Sequence, residues 1–214
     1  MPALILHNFF NSSAAYRVRI ALNLKGIEWI HAGVNVRKGE QNEPDYKAIN
    51  PIGLVPALEA GGNTIIESLA IIDYLDRHFP EPRMVPLDDP ARTRVLEIAT
   101  IISCDIHPIN NMRVLKYLTS TLGLDDAQKD RWIHHWIGIG FTALEALLPD
   151  HDGWCVGDAP TLADCCLVPQ VANARRANFD FVPFPRIRRI AAFCEGHEAF
   201  AQAAPAHQPD YIVH

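Results

Sequence analysis

The chain has 214 residues, 49% of them hydrophobic, and a formal net charge of −6. That is enough apolar material for one large core or two small ones, and the acidic balance, with a pI near 5.9, lacks the electrostatic footprint of a nucleic-acid or anionic-membrane binder. Five cysteines, of which only Cys165 and Cys166 are close in sequence, make neither a disulfide framework nor a zinc pattern. Reduced thiols in a cytoplasm are the expectation, and no metal is. No charged segment leads into an apolar stretch at the start and no apolar run reaches membrane-spanning length, so a membrane partner is not expected either.

In chain order, a short apolar run over residues 3–7 reads as a strand and leads into the polar turn Asn11-Ser12-Ser13. An amphipathic helix over 14–25 follows, then a strand over 28–34 and an irregular polar stretch over 37–50. Strands over 56–59 and 63–66 precede a helix over 68–79. The segment Phe79-Pro80-Glu81-Pro82-Arg83 is a proline-punctuated break. Beyond it strands disappear, and Asp89 to Thr119, Asp125 to Leu148, Thr161 to Asn178 and Pro185 to Gly196 all show helical periodicity. An α/β domain over 1–83 and an all-helical domain over 88–214 are therefore predicted.

Three places in the first domain could hold a ligand. Ser12 and Ser13 sit at a helix N-terminus, where unpaired N–H groups and a positive dipole favour an anion such as a thiolate, although either serine could simply cap the helix. Val55-Pro56 opens a strand, and if that X-Pro bond is cis the Val55 N–H and C=O point outward, free to pair with an extended peptide. Glu67 and Ser68 start the next helix, where a carboxylate and a hydroxyl can take an ammonium and a carboxylate of a ligand, or serve only as dipole partner and cap.

In the second domain, Thr161-Leu162-Ala163-Asp164 has capping-box spacing and reads as a folding element. His107, followed by Pro108, is either functional or a buried histidine at a helix kink. Arg113 lies six residues on, about 240° round an ideal helix, so the two can share a site only if the helix bends. His134 and His135 are adjacent on a helix and diverge by about 100°, which argues against a joint metal site.

SSAAYRVRIALNLKGI, NPIGLVPALE and IIESLAIIDYL, in that order, resemble the zeta class of cytosolic glutathione transferases, and within it the maleylacetoacetate and maleylpyruvate isomerases. The resemblance continues through Cys104-Asp105-Ile106-His107-Pro108-Ile109-Asn110-Asn111, Val156-Gly157-Asp158, Leu167-Val168-Pro169-Gln170 and Gln208-Pro209-Asp210. It implies a thioredoxin-like α/β domain followed by an all-α domain, a cytoplasmic homodimer, and glutathione as cofactor for cis–trans isomerisation of a small maleyl keto acid in aromatic catabolism. Ser12 is the implied thiolate donor with Ser13 as its rival, and His107 joins them as a catalytic group. Implied contacts to glutathione further include Ala14, Tyr16, Arg17 and Gln41, then Val55, Glu67 and Ser68, and from the helical domain His107, Asn111 and Arg113. Asn11, Arg113 and Arg176 are the implied substrate-binding positions.

Two departures from the family pattern stand out. An arginine commonly precedes the serines and a cysteine follows them in animal members; here these are Asn11 and Ala14. An amide cannot replace the charge of an Arg–carboxylate fork, so either another arginine compensates or the substrate differs from a maleyl diacid. A transferase or dehalogenase acting on α-halo acids, and a non-catalytic interaction protein, are the alternatives.

Overall fold

The computed structural model describes residues 3–212. They form two compact units, one of residues up to Val85 together with those from Glu195 onward, the other running from Pro86 to Cys194.

The first unit is built on a four-stranded sheet. Strand β1 (Leu4–Asn8) runs into helix α1 (Ser13–Leu24), which crosses over to β2 (Trp29–Gly33), parallel to β1. A 3-10 turn (Glu40–Asn42) and the short helix α2 (Pro44–Ile49) occupy what the sequence shows only as a polar stretch. Strands β3 (Ala57–Ala60) and β4 (Asn63–Ile66) make an antiparallel hairpin, and the sheet order is β2-β1-β3-β4. Gly61 and Gly62, both at positive φ, supply the two-residue turn whose handedness matches the strand twist. Helix α3 (Ser68–His78) closes the motif. Leu6, Val18, Ile20, Leu58, Ile71 and Leu75 are buried between sheet and helices.

The end of the chain belongs to this unit rather than to the helical one. Helix α9 (Glu198–Ala203) packs on α1, where the fully buried Arg19 donates from Nε to the Ala203 carbonyl at 2.9 Å, from Nη1 to Asn8 Oδ1 and from Nη2 to the Phe10 carbonyl. Burial lowers its guanidinium to about 10, against the pull of Tyr16 and Asp210. Asn23 donates to the Ala199 carbonyl, and the Phe10 N–H donates to Asp210 at 2.9 Å. Arg19 and Asn23 of α1 thus draw carbonyl acceptors from the last twenty residues as well as from the turn after β1.

The proline-rich break is also tied down. Lys25 Nζ, its side chain fully buried, donates to the Phe79 and Pro82 carbonyls at 2.7 Å each and pairs with Asp76 at 2.8 Å, while Asp76 accepts the N–H groups of Met84 and Val85.

The second unit is helical. Helix α4 (Ala91–Thr100) continues into a π-helical turn (Ile101–Ile106), a 3-10 turn (Pro108–Asn110) and α5 (Met112–Ser120). The long α6 (Asp126–Leu147), then α7 (Leu162–Arg176) and α8 (Pro185–Glu195) complete the helices beyond it. Thr161 and Asp164 form the expected capping box. Asp164 is fully buried; burial raises its carboxyl above the usual range even though Cys155 N and Thr161 N donate to it at 2.7 and 2.8 Å. All five cysteines are outside any disulfide.

Candidate active site

In the first unit, three backbone irregularities at element ends carry the candidate residues, and a side chain pins each of them. The first is the turn into α1. Ser12 is its N-cap: its N–H donates to the Phe9 carbonyl at 3.0 Å, and its Oγ accepts the Ala15 N–H at 3.2 Å. An accepting hydroxyl keeps its own proton to donate, here at the positive end of a helix dipole. Asn11, Ser12 and Ala14 are half-buried, whereas Ser13 is buried at the first helical position. The structure therefore separates the two serines, with Ser12 as the cap and the more accessible hydroxyl. Tyr16 points into the core, its hydroxyl donating to the Phe200 carbonyl at 3.3 Å, so its part is to seat α1.

The second irregularity is the loop before β3, where the Val55-Pro56 bond is cis. The Leu54 carbonyl just before it accepts both the Tyr46 hydroxyl at 2.6 Å and the Asn50 amide at 2.7 Å. Burial pushes the Tyr46 phenol up to about 12, so it stays a proton donor throughout the physiological range. Gly53 at φ 67° comes so close to the Gln41 carbonyl that a Cβ there would lie 3.0 Å from it. Nothing in the sequence spacing reveals the double clamp on Leu54, and Tyr46 and Asn50 are absent from the sequence-based candidates.

The third is the start of α3. Glu67 holds φ 68°, an uncommon conformation for a residue with a side chain, and is exposed. Ser68 beside it is buried, and its Oγ accepts from Arg17 Nη1 at 3.2 Å. Arg17 is only 2% exposed, yet its Nε and Nη2 have no hydrogen-bond partner, and the buried Gln41 Oε1 has none either. A buried cation with unpaired N–H groups is costly unless an acceptor meets it. The chemistry of this donor set fits a carboxylate flanked by an ammonium: Arg17 and Ser68 for the former, Glu67 for the latter.

In the second unit, His107 follows the π-helical turn and is half-buried. Pro108 has no N–H to return to the carbonyl of Cys104, and the chain widens there, with His107 N–H reaching back to the Ile102 carbonyl. Gly140 on α6 makes room, since a Cβ would stand 2.3 Å from Ile106 Cδ1. Asn111 is extended and caps α5 by accepting the Arg113 N–H at 3.1 Å. His107 and Arg113 therefore do not share one helix, and the 240° separation does not apply. Arg113 is exposed in the first turn of α5, and Arg176 is exposed at the last position of α7. His134 and His135 diverge: the former bonds the Ala177 carbonyl at 2.7 Å, the latter packs edge-on to Trp136. Among the described residues, no group of three or more His, Cys, Asp or Glu is arranged to hold a metal ion.

Known proteins resemble this chain over nearly its whole length. Residues 11–78 match the glutathione S-transferase N-terminal domain family and residues 140–200 the C-terminal domain family. A maleylpyruvate isomerase of Ralstonia sp. is 48% identical over 208 residues, 96% of this chain and 98% of that protein. The holo structure of a maleylpyruvate isomerase, a bacterial glutathione S-transferase of the zeta class, superposes with a TM-score of 0.94 at 47% identity, covering 97% of this chain and 100% of that one. The maleylacetoacetate isomerase of Methylobacterium extorquens AM1, solved with malonate and glutathione bound, gives 0.92 at 34% identity and covers 98% of this chain and 100% of that one. The chain thus belongs to the glutathione S-transferase family. Identity at this level over nearly the full length, together with the serine turn of the first unit, places it in the zeta class.

Proposed function

We propose that the protein is a glutathione-dependent cis–trans isomerase that converts a maleyl keto acid, maleylpyruvate or maleylacetoacetate, into its fumaryl isomer. The observation that carries this is the buried Arg17 guanidinium, bonded to Ser68 and otherwise unpaired, in the same unit as the Ser12 cap. Those groups suit the carboxylate and the thiolate of glutathione. When bound, glutathione supplies a thiolate that adds to the maleyl double bond, allows rotation about the resulting single bond and leaves again unchanged.

The chain's own residues do the rest. Ser12 Oγ–H donates to the sulfur, and together with the dipole of α1 favours the anion over the thiol. The Ser13 and Ala14 N–H groups lie in the same first turn. Val55, held beside the pinned Leu54 carbonyl, offers its backbone to the peptide as a strand would. Glu67, Ser68 and Arg17 hold the γ-glutamyl end, and Gln41 Oε1 accepts from a ligand N–H. For the helical unit, His107, Asn111 and Arg113 are assigned to glutathione, and Arg113 and Arg176 to substrate carboxylate. His107 also stabilises charge that develops on the substrate's carbonyl oxygen. Asn11 is assigned to the substrate as a neutral donor.

The test is incubation with each maleyl keto acid and a trace of glutathione, following loss of the cis isomer. Many turnovers per glutathione are expected; no isomerisation, or glutathione consumed one for one with an α-halo acid, overturns the reading in favour of a transferase or dehalogenase. Asn11 is the observation that favours that second reading, since its amide carries no charge for a second carboxylate. We also propose a cytoplasmic homodimer, two-fold dimers being the commonest soluble oligomers, and a monomeric mass by light scattering at micromolar concentration would exclude it. Among the described residues, no helix is long and apolar enough to cross a membrane.

A further inference from the structure

We propose that Asp210, in the segment after α9, is a positioning residue for the thiolate site: through the Phe10 N–H it holds the turn that presents Ser12. The inference rests on the reading of that turn as the place of the glutathione sulfur, and deepens it. Phe10 stands just ahead of Asn11 and Ser12, and both polar groups of its backbone are taken by side chains from outside the turn. Its N–H donates to Asp210 Oδ2 at 2.9 Å, and its carbonyl accepts from Arg19 Nη2 at 3.0 Å. The Phe9 carbonyl beside it accepts the Ser12 N–H at 3.0 Å and Arg19 Nη1 at 3.4 Å. The peptide units that set the direction of Ser12 are thus held by one acid and one guanidinium.

Those two side chains are themselves joined. Arg19 Nη1 donates to Asn8 Oδ1 at 3.2 Å, which leaves the Asn8 amide nitrogen to donate to the Leu6 carbonyl at 3.1 Å and to face His31 Nδ1 at 3.4 Å. A donor facing Nδ1 requires a neutral imidazole with its proton on Nε2. Burial, with Arg19 nearby, holds that imidazole below its usual range against the pull of Asp210. Nε2 in turn stands 3.3 Å from Asp210 Oδ1, two buried atoms without a hydrogen bond of their own. Arg19, Asn8, His31, Asp210 and Phe10 therefore close a ring of polar contacts that includes the turn. A carboxylate that accepts a backbone N–H makes a charge-assisted bond, stronger than a neutral one. A donor misplaced by about 1 Å can cost about a hundredfold in rate, so a pinned Phe10 matters to the Ser12 hydroxyl. The negative charge of Asp210 alone would oppose a thiolate, so a strut and a mere charge predict opposite signs when it is neutralised.

The experiment titrates the thiol of bound glutathione by its thiolate absorbance and measures isomerisation kinetics for the full-length wild type, Asp210→Ala, Asp210→Asn and Gln208→Ala. Gln208 ties the same segment to the Gln202 and Ala204 carbonyls at 3.0 Å each, so its loss reports weakened anchorage without removing the bond to the turn. In Asp210→Ala kcat should fall about tenfold, KM for glutathione should change less than about threefold, and the thiol midpoint should rise about one pH unit. Asp210→Asn keeps a neutral acceptor, so its kcat should fall about threefold and its midpoint should rise by less. Gln208→Ala should lower the melting temperature and leave the midpoint in place. Unchanged kcat and midpoint in the Asp210 variants, a midpoint that falls in Asp210→Asn, an equal rise in Gln208→Ala, or a loss confined to KM for glutathione each overturn the assignment. Should Asp210→Ala fail to fold, Asp210→Asn decides alone. If the wild type isomerises neither keto acid but Asp210→Asn still raises the midpoint, the isomerase reading fails and the positioning role stands. If it isomerises either and the midpoint does not move, the role falls and the isomerase reading stands.

Discussion

The two units position their candidate residues by different means. In the first, each lies where regular structure ends and a side-chain hydrogen bond holds that point: Ser12 caps α1, Tyr46 and Asn50 clamp the Leu54 carbonyl, and Arg17 holds the Ser68 hydroxyl at the start of α3. In the second, His107 and Arg113 lie on either side of a change of helical pitch, and their directions depend on how far the π-helical turn is wound. Pinned turns suit the recognition of an invariant peptide cofactor. A helix with an interrupted ladder sets direction through packing, which one residue such as Gly140 can shift. The first unit should therefore lose chemistry or glutathione affinity when a single donor is removed, and the second should lose stability and substrate handling together.

The sharpest test on the first side is Ser12→Ala. On the proposed reading it removes the sulfur's hydroxyl donor while Arg17, Ser68 and Val55 remain, so kcat should fall about a hundredfold with KM for glutathione changing less than threefold. Loss of the cap should cost about 1 kcal/mol of stability as well. Full activity in Ser12→Ala with a dead Ser13→Ala would reverse the roles of the two hydroxyls, despite the burial of Ser13.

On the second side, Gly140→Ala drives a methyl toward Ile106, 2.3 Å from its Cδ1, and overpacking of this kind costs about 1–3 kcal/mol. Thermal melting should show the loss, and KM for the keto acid and for glutathione should both rise, since His107, Asn111 and Arg113 are assigned to glutathione as well. Ile106→Val in the same chain should recover part of both. A lowered melting temperature with unaltered keto-acid kinetics would show that the turn carries His107 without aiming it.

How much of this could be read beforehand follows the same division. The serine turn, the Glu67-Ser68 start of α3, the cis-capable Val55-Pro56 and the Thr161–Asp164 box are local patterns of a few residues, and the structure shows Ser12 capping, that bond cis and the box closed. The docking of α9 on α1 is not local. Arg19 is an unremarkable basic residue in an amphipathic pattern until Ala203, 184 positions away, supplies its acceptor. Helical periodicity over 89–119 could not show three pitches within one stretch, because apolar spacing at Ile98, Ile102 and Ile106 fits an α-helix as well. The Tyr46–Asn50 clamp depends on contacts to one carbonyl that carry no spacing signal.

A milder break in the first unit is Tyr46→Phe. The Leu54 carbonyl keeps the Asn50 amide but loses the phenol, a neutral hydrogen bond worth about 1 kcal/mol, so KM for glutathione should rise about fivefold with kcat nearly constant. A fall in kcat of the same size would mean that the clamp also sets the position of the sulfur.

The smallest expected effect is the most discriminating. Restoring the arginine that Asn11 replaces would normally add a charge-assisted fork, about 1.5–3 kcal/mol or ten- to a hundredfold in affinity. If Arg113 and Arg176 already meet the substrate's carboxylates, as proposed, a further guanidinium has no unmatched anion to bind. Asn11→Arg should then change KM for maleylpyruvate less than about threefold. Strong improvement would show that a carboxylate of the substrate lies unmatched beside the Ser12 turn, since a charge restored within reach of an unpaired anion has to register in its binding.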